Sequence, residues 1–159
     1  MHSILPSDKV LVIDDSPEHL SLLTMIMELH GYEITIVQNG VEALHLALED
    51  PPDIILLDIL LPEFDGFEVC KFFKHYDDTK DIPIIFISAC EDAEFKLKAF
   101  ASGGDDYLTK PFQIDEAIAR INNHLAKKQT LKRMHQQISE LEAYSSTVAH
   151  DIKNVRWLI

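Results

Sequence analysis

The chain has 159 residues, 47% of them apolar, and a formal net charge of −13. That length allows about one domain with something appended, and the apolar share suffices for a real core. The acidity argues against a nucleic-acid surface. Cys70 and Cys90 show no metal-ligand or CxxC spacing and read as reduced thiols in or near the core. Met1–Pro6 lacks the basic start and apolar run of a secretory signal, and no apolar stretch is long enough to span a bilayer. The cytoplasm is the expected compartment. The charge is also uneven. Residues 1–126 hold 24 acidic and 8 basic side chains, a net −16, whereas residues 127–159 hold 3 and 6, a net +3. Two segments of different kind are expected, 1–126 and 127–159.

In chain order, Lys9-Val-Leu-Val-Ile13 reads as a buried strand ended by Asp14-Asp15-Ser16-Pro17. Pro17 suits the first turn of a helix with Ser16 as N-cap. That helix carries Leu20, Leu23 and Met27 and stops near Gly31. Glu33–Val37 is the next strand, and Asn39-Gly40 turns into a helix with Ala43, Leu44, Ala47 and Leu48, closed by Pro51-Pro52. The run from Asp53 to Asp58 is a third strand, flanked by a loop in which Pro62 and Gly66 read as punctuation. A helix over 68–75 follows, then a strand over 82–87 ending at Ser88. A helix near 93–101 leads through Gly103-Gly104 to a short strand over 106–108. Lys110-Pro111 closes that strand, and a last helix begins near Gln113.

Five alternations of strand and helix at a spacing of about 25 residues predict an α/β fold with a parallel sheet covered on both faces. Ligands of such sheets bind outside the carboxyl ends of the strands. Asp14, Asp15, Asp58, Ser88 and Lys110 all fall at that edge, from four different strands. Three carboxylates together repel and need a counter-charge. A hard divalent cation supplies it, and Mg²⁺, which keeps waters and accepts a phosphate oxygen, is the expected cofactor. Lys110 adds a mobile positive charge and Ser88 a hydroxyl donor, which suits a phosphoryl group in transfer. Asp58, ending the central strand, is the expected nucleophile of an aspartyl-phosphate.

With these motifs in place, residues 8–126 resemble the receiver domain of two-component response regulators. The resemblance implies a flavodoxin-like, doubly wound sheet of five strands in the order 2-1-3-4-5. It implies that Asp58 is the phosphoacceptor, and that Asp14, Asp15, Asp58 and the backbone carbonyl of Leu60 hold Mg²⁺. Ser88 and Tyr107 would be the switch pair, drawn inward on phosphorylation. Lys110 would contact the phosphoryl group, the Lys110-Pro111 peptide would be cis, and the small Ala89 would leave room for the phosphodonor. A kinase or phosphotransfer protein is the implied donor. Leu60 and Cys90, two positions beyond Asp58 and Ser88, are poor at orienting water, so slow self-dephosphorylation is expected, over many minutes. Three other readings compete: a metal-dependent phosphatase with an aspartate nucleophile, which needs a second acid where Leu60 stands; a pseudo-receiver serving only as a dimerisation module; and a DNA-binding regulator, disfavoured because no helix-turn-helix pattern follows residue 126.

No Gly or Pro interrupts the chain from Ile114 onward. Ile114, Ile118, Ile121 and Leu125 fit a helix packed on the sheet. A second series follows: Leu131, Met134, Ile138, Leu141, Ser145, Val148, Ile152, Val155 and Ile159. It predicts a coiled-coil seam of about four heptads and a parallel homodimer. The two series differ in register by one residue, which turns the stripe by roughly 100°. Within the seam, Val148-Ala-His150-Asp151-Ile-Lys153-Asn154 is similar to the phosphoacceptor box of sensor histidine kinases. There His150 would be a second phosphoacceptor, Asp151 its general base and Asn154 a contact to the catalytic domain. Val155 stands where that box has proline. The sequence ends at Ile159 with no Gly-rich nucleotide loop, so it is no kinase on its own and is expected to be a truncated piece of a receiver–histidine kinase hybrid.

Overall fold

The structure, a computed structural model, describes residues 8–156, with side chains through residue 149. It divides into two units between Leu125 and Ala126. The first holds five parallel strands: β1 (Lys9–Ile13), β2 (Glu33–Val37), β3 (Ile54–Asp58), β4 (Ile84–Ser88) and β5 (Asp106–Thr109). Their order is β2-β1-β3-β4-β5, as the resemblance implied. Between them run α1 (Ser21–Leu29), α2 (Gly40–Glu49), α3 (Gly66–His75) and α4 (Ala93–Ala101). The last helix, α5, spans Ile114–Arg156.

The sheet has apolar side chains on both faces because alternate residues of each strand point opposite ways. On one face Leu11, Ile13, Ile55, Leu57 and Phe86 meet Ala43 and Ala47 of α2, Val69 and Phe73 of α3, and Ala99 of α4. On the other Val10, Val12, Leu56, Ile85 and Ile87 meet Leu23 and Met27 of α1 and Ala117, Ile121 and Leu125 of α5. β3 and β4 are buried throughout, so their continuous apolar runs are the signature of central strands. Each such Ile or Leu contributes about 1.5–3 kcal/mol on burial. α5 is also held by polar contacts, with Tyr32 donating to Asn122 and Arg120 and His124 meeting Asp106.

The start of the first helix differs from expectation. Ser16 makes no capping bond through its side chain, and Pro17–Leu20 form a 3₁₀ turn before α1 begins at Ser21. The reason is local: the Asp14 carboxylate accepts the Ser16 amide at 2.8 Å, so Asp14 rather than Ser16 orders this turn. α3 starts two residues earlier than expected, because Asp65 caps it by accepting the Glu68 amide at 2.9 Å. β4 starts two residues later, after Pro83, which has no amide to give to a ladder.

In the second unit the helix runs on to Arg156. Leu131, Met134, Ile138 and Leu141 are all at least half exposed there, as is Tyr144. His150, Asp151, Asn154 and the end of the expected seam (Ile152, Val155, Ile159) lie outside the residues whose side chains are described. No helix among the described residues is long and apolar enough to cross a membrane.

Candidate active site

β1, β3 and β4 all end at one edge, and each delivers a polar residue there. Asp14 directly follows β1, with its amide bonded to the Val37 carbonyl at 3.0 Å. Asp58 and Ser88 are the last residues of β3 and β4. Carboxylate oxygens of Asp14, Asp15 and Asp58 lie within 4.8 Å of one another, with Asp15 exposed and the other two buried. Lys110 supplies the positive charge, its Nζ 3.6 Å from Asp58 Oδ2 and 3.7 Å from Asp14 Oδ2. The lysine's main chain is placed by its amide, which donates to the Ser88 carbonyl at 2.8 Å. The Lys110-Pro111 peptide is cis.

The electrostatics match the crowding. Burial and the neighbouring Asp14 charge push the Asp58 carboxyl above the usual carboxylate value, while Lys110 and the Leu60 amide, 3.1 Å from Asp58 Oδ1, oppose them. Asp14 Oδ1 accepts the Ser16 amide, but Asp14 Oδ2 is buried and accepts no hydrogen bond among the described residues. A buried carboxylate oxygen left in that state is costly unless a cation takes it. Three converging carboxylates against a single lysine therefore fit a divalent cation, since the donor set is all oxygen and carries more negative charge than Lys110 balances.

Ser88 and Tyr107 meet through Cys90. The Cys90 amide donates to Ser88 Oγ at 3.1 Å, and the Tyr107 hydroxyl donates to the Cys90 carbonyl at 2.7 Å. Tyr107 is only 7% exposed. Its ring is thus buried in this structure. Burial raises the phenol pKa, and the nearby Ser88 side chain opposes that rise. Ala89 is exposed beside the edge, and the Leu60 side chain is 70% exposed.

Sequence reasoning missed three participants. The Cys90 main chain bridges the switch pair, and no sequence pattern marks a backbone role. His19 places Nε2 3.1 Å from Asp14 Oδ2, through a 3₁₀ turn where the sequence pattern predicts the first turn of a helix. Gly66 had been read as punctuation, yet a Cβ there would lie 2.5 Å from the Asp58 carbonyl oxygen and 2.7 Å from the Ile59 Cα. Its amide donates to the Ile59 carbonyl at 2.7 Å, which brings the loop and the start of α3 down onto the end of β3. The Asp65-Gly66 pair directly ahead of a helical pattern was the available signal.

Comparison with known proteins gives concordant results. Residues 10–122 match the family described as response regulator receiver domain. RpaA of Synechocystis, a DNA-binding dual master transcriptional regulator, is 39% identical over 113 residues, covering 71% of this chain and 47% of RpaA. The transcriptional regulatory protein KdpE of Mycobacterium tuberculosis is 34% identical over 140 residues, covering 88% of this chain and 61% of KdpE. The chain thus spans about half to three-fifths of the length of these relatives. Among solved structures, the signal receiver domain of a signal transduction histidine kinase from Syntrophus aciditrophicus aligns with a TM-score of 0.70 at 31% identity. That alignment covers 76% of this chain and 91% of the other.

Proposed function

Since the chain belongs to the response regulator receiver domain family, we propose that it is phosphorylated on Asp58 in a Mg²⁺-dependent reaction and thereby regulates a helical output carried by α5. The observation that carries this reading is the convergence of Asp14, Asp15 and Lys110 on Asp58 at the end of the central strand. Receiver domains use Mg²⁺ in phosphorylation, and Asp14, Asp15, Asp58 and the Leu60 carbonyl are the groups that would hold it here. The ion would supply charge neutralisation for the carboxylates and the incoming phosphoryl oxygens. An Asp58 oxygen forms the new P–O bond as the donor's P–N bond breaks, and the bonding pair stays on the donor imidazole. Lys110 and the Ser88 hydroxyl hold the phosphoryl oxygens, and the exposed methyl of Ala89 leaves the approach open. A donor kinase charged from ATP places the chain in the cytoplasm.

For the output we propose a parallel homodimer through the helix after residue 126. Its support is the unburied apolar seam from Leu131 to Leu141. In this reading the parent protein is a receiver–histidine kinase hybrid, with His150 a second phosphoacceptor and Asp151 its base. A transcriptional output is the second reading, favoured by the relatives RpaA and KdpE. The two differ in what lies beyond the receiver, and in this reading the chain itself touches no nucleic acid. A phosphatase is disfavoured, because Leu60 stands where a second acid is needed, and a pseudo-receiver leaves a costly acid cluster without purpose.

The test is phosphate incorporation from a small phosphoramidate donor. Phosphorylation of the wild-type chain with Mg²⁺, lost with EDTA and in Asp58→Asn, is the expected result. Equal labelling of Asp58→Asn would overturn the assignment.

A further inference from the structure

Aspartyl-phosphate chemistry leaves His19 without a role. Its Nε2 nevertheless lies 3.1 Å from Asp14 Oδ2. That oxygen is the one turned towards Lys110, at 3.7 Å, and it is buried and accepts no hydrogen bond among the described residues. The other oxygen, Oδ1, is already committed to the Ser16 amide. The imidazole therefore stands beside the ligand atom that a cation at this edge would use. The two must either compete for it or share the cation.

Which of these happens depends on the cation. Mg²⁺ is hard, prefers oxygen ligands and keeps its waters, so it has no use for an imidazole nitrogen. Borderline first-row cations of the Zn²⁺ and Co²⁺ class take imidazole as readily as carboxylate, and neutral histidine is their commonest protein ligand. His19 is built to serve either case: its side chain is 36% exposed on a short 3₁₀ turn, whereas Asp14 is 1% exposed and fixed. The ring can swing on a stationary carboxylate.

We infer that His19 gives this site a second metal class, because its Nε2, 3.1 Å from Asp14 Oδ2, adds a nitrogen ligand for a borderline divalent cation. For Mg²⁺ the same ring has to leave Asp14. This inference rests on the metal site proposed above. It predicts that one substitution weakens Co²⁺ binding without weakening Mg²⁺ binding, which loss of folding cannot produce.

The experiment is calorimetric titration of the full chain with Co²⁺ and separately with Mg²⁺, comparing wild type, His19→Ala and His19→Gln. Visible absorption reports the nitrogen ligand on Co²⁺. Both variants should bind Co²⁺ at least about tenfold more weakly and lose the imidazole signature. Their Mg²⁺ affinity should be unchanged or up to a few-fold tighter. The chain has seven other histidines, so Asp15→Asn serves as a locator, and the Co²⁺ signal that depends on His19 should weaken there as well. Co²⁺ affinities within about twofold across wild type and the His19 variants would overturn the inference. A parallel loss of Co²⁺ and Mg²⁺ would also overturn it, by making His19 only a prop for Asp14. If the wild type bound neither Mg²⁺ nor beryllofluoride, the receiver reading itself would fall. Normal Mg²⁺ binding with Co²⁺ indifferent to His19 would remove this inference alone.

Discussion

Asp58 shows how position selects chemistry at the scale of one residue. Its strand is buried on both faces, so its carboxylate loses solvent without gaining enough hydrogen bonds, and its pKa rises. Asp106, at the other end of the sheet, has the reverse balance. Burial pushes its carboxyl up, but His124, the Tyr107 amide and Arg120 all donate to it, and the net shift is downward from 3.8. A lowered folded pKa means that the ionised form is favoured by folding. The resulting stability is full above the unfolded value and is lost as pH falls through the folded one. Asp106→Asn should therefore cost about 1 kcal/mol or less at pH 7, discounted for partial solvent screening, and should flatten the acid limb. Urea unfolding of both proteins between pH 7 and pH 3 measures this; equal slopes for the two would refute it. At the active edge, Leu60 is exposed and Cys90 half-buried, and neither side chain aligns water well. Installing Leu60→Asn with Cys90→Glu should shorten the phosphoryl lifetime several-fold or more, read by phosphate release after donor removal. An unchanged lifetime would show that these positions do not govern the attack.

At the scale of elements, the β3–α3 connection decides whether Asp58 is presented at all. The Gly66 amide is tied to Ile59, and the space where its Cβ would sit is filled by backbone. Backbone cannot rotate aside as a side-chain tip can, so Gly66→Ala should cost about 1–3 kcal/mol, as other overpacking does. It should also slow phosphorylation, because the same loop carries Leu60. Thermal unfolding and phosphate incorporation measured together check both halves of that expectation. β3 was legible as an unbroken apolar run bounded by turn residues, and the α5 face of Ile121 and Leu125 lies as its helical spacing predicts. Boundaries shifted where a side chain captured a backbone amide, as Asp14 does before the 3₁₀ turn and Asp65 does before α3. Ser16 and Asp65 are both good caps on paper, and choosing between bonding patterns needs the neighbours in place.

For the whole molecule, the helix beyond Ala126 sets the question of assembly. Its row of Leu131, Met134, Ile138 and Leu141 is at least half exposed, and an apolar stripe of that kind calls for a partner. Light scattering with Mg²⁺, then with beryllofluoride, should give a dimer in both states, and Ile138→Lys should give a monomer. A wild-type monomer in both states would remove the coiled coil, and dimerisation only with beryllofluoride would transfer control of assembly to the receiver. The sequence by itself determined the alternation of elements, the parallel sheet and the set of acids at its edge, because burial periodicity and turn residues are local properties. Only the tertiary structure decided that Asp14 turns one oxygen towards His19 and Lys110, that Cys90's main chain joins Ser88 to Tyr107, and that Gly66 must lack a side chain. Those are contacts between separate segments, and their geometry exists only once the sheet has brought the strand ends together.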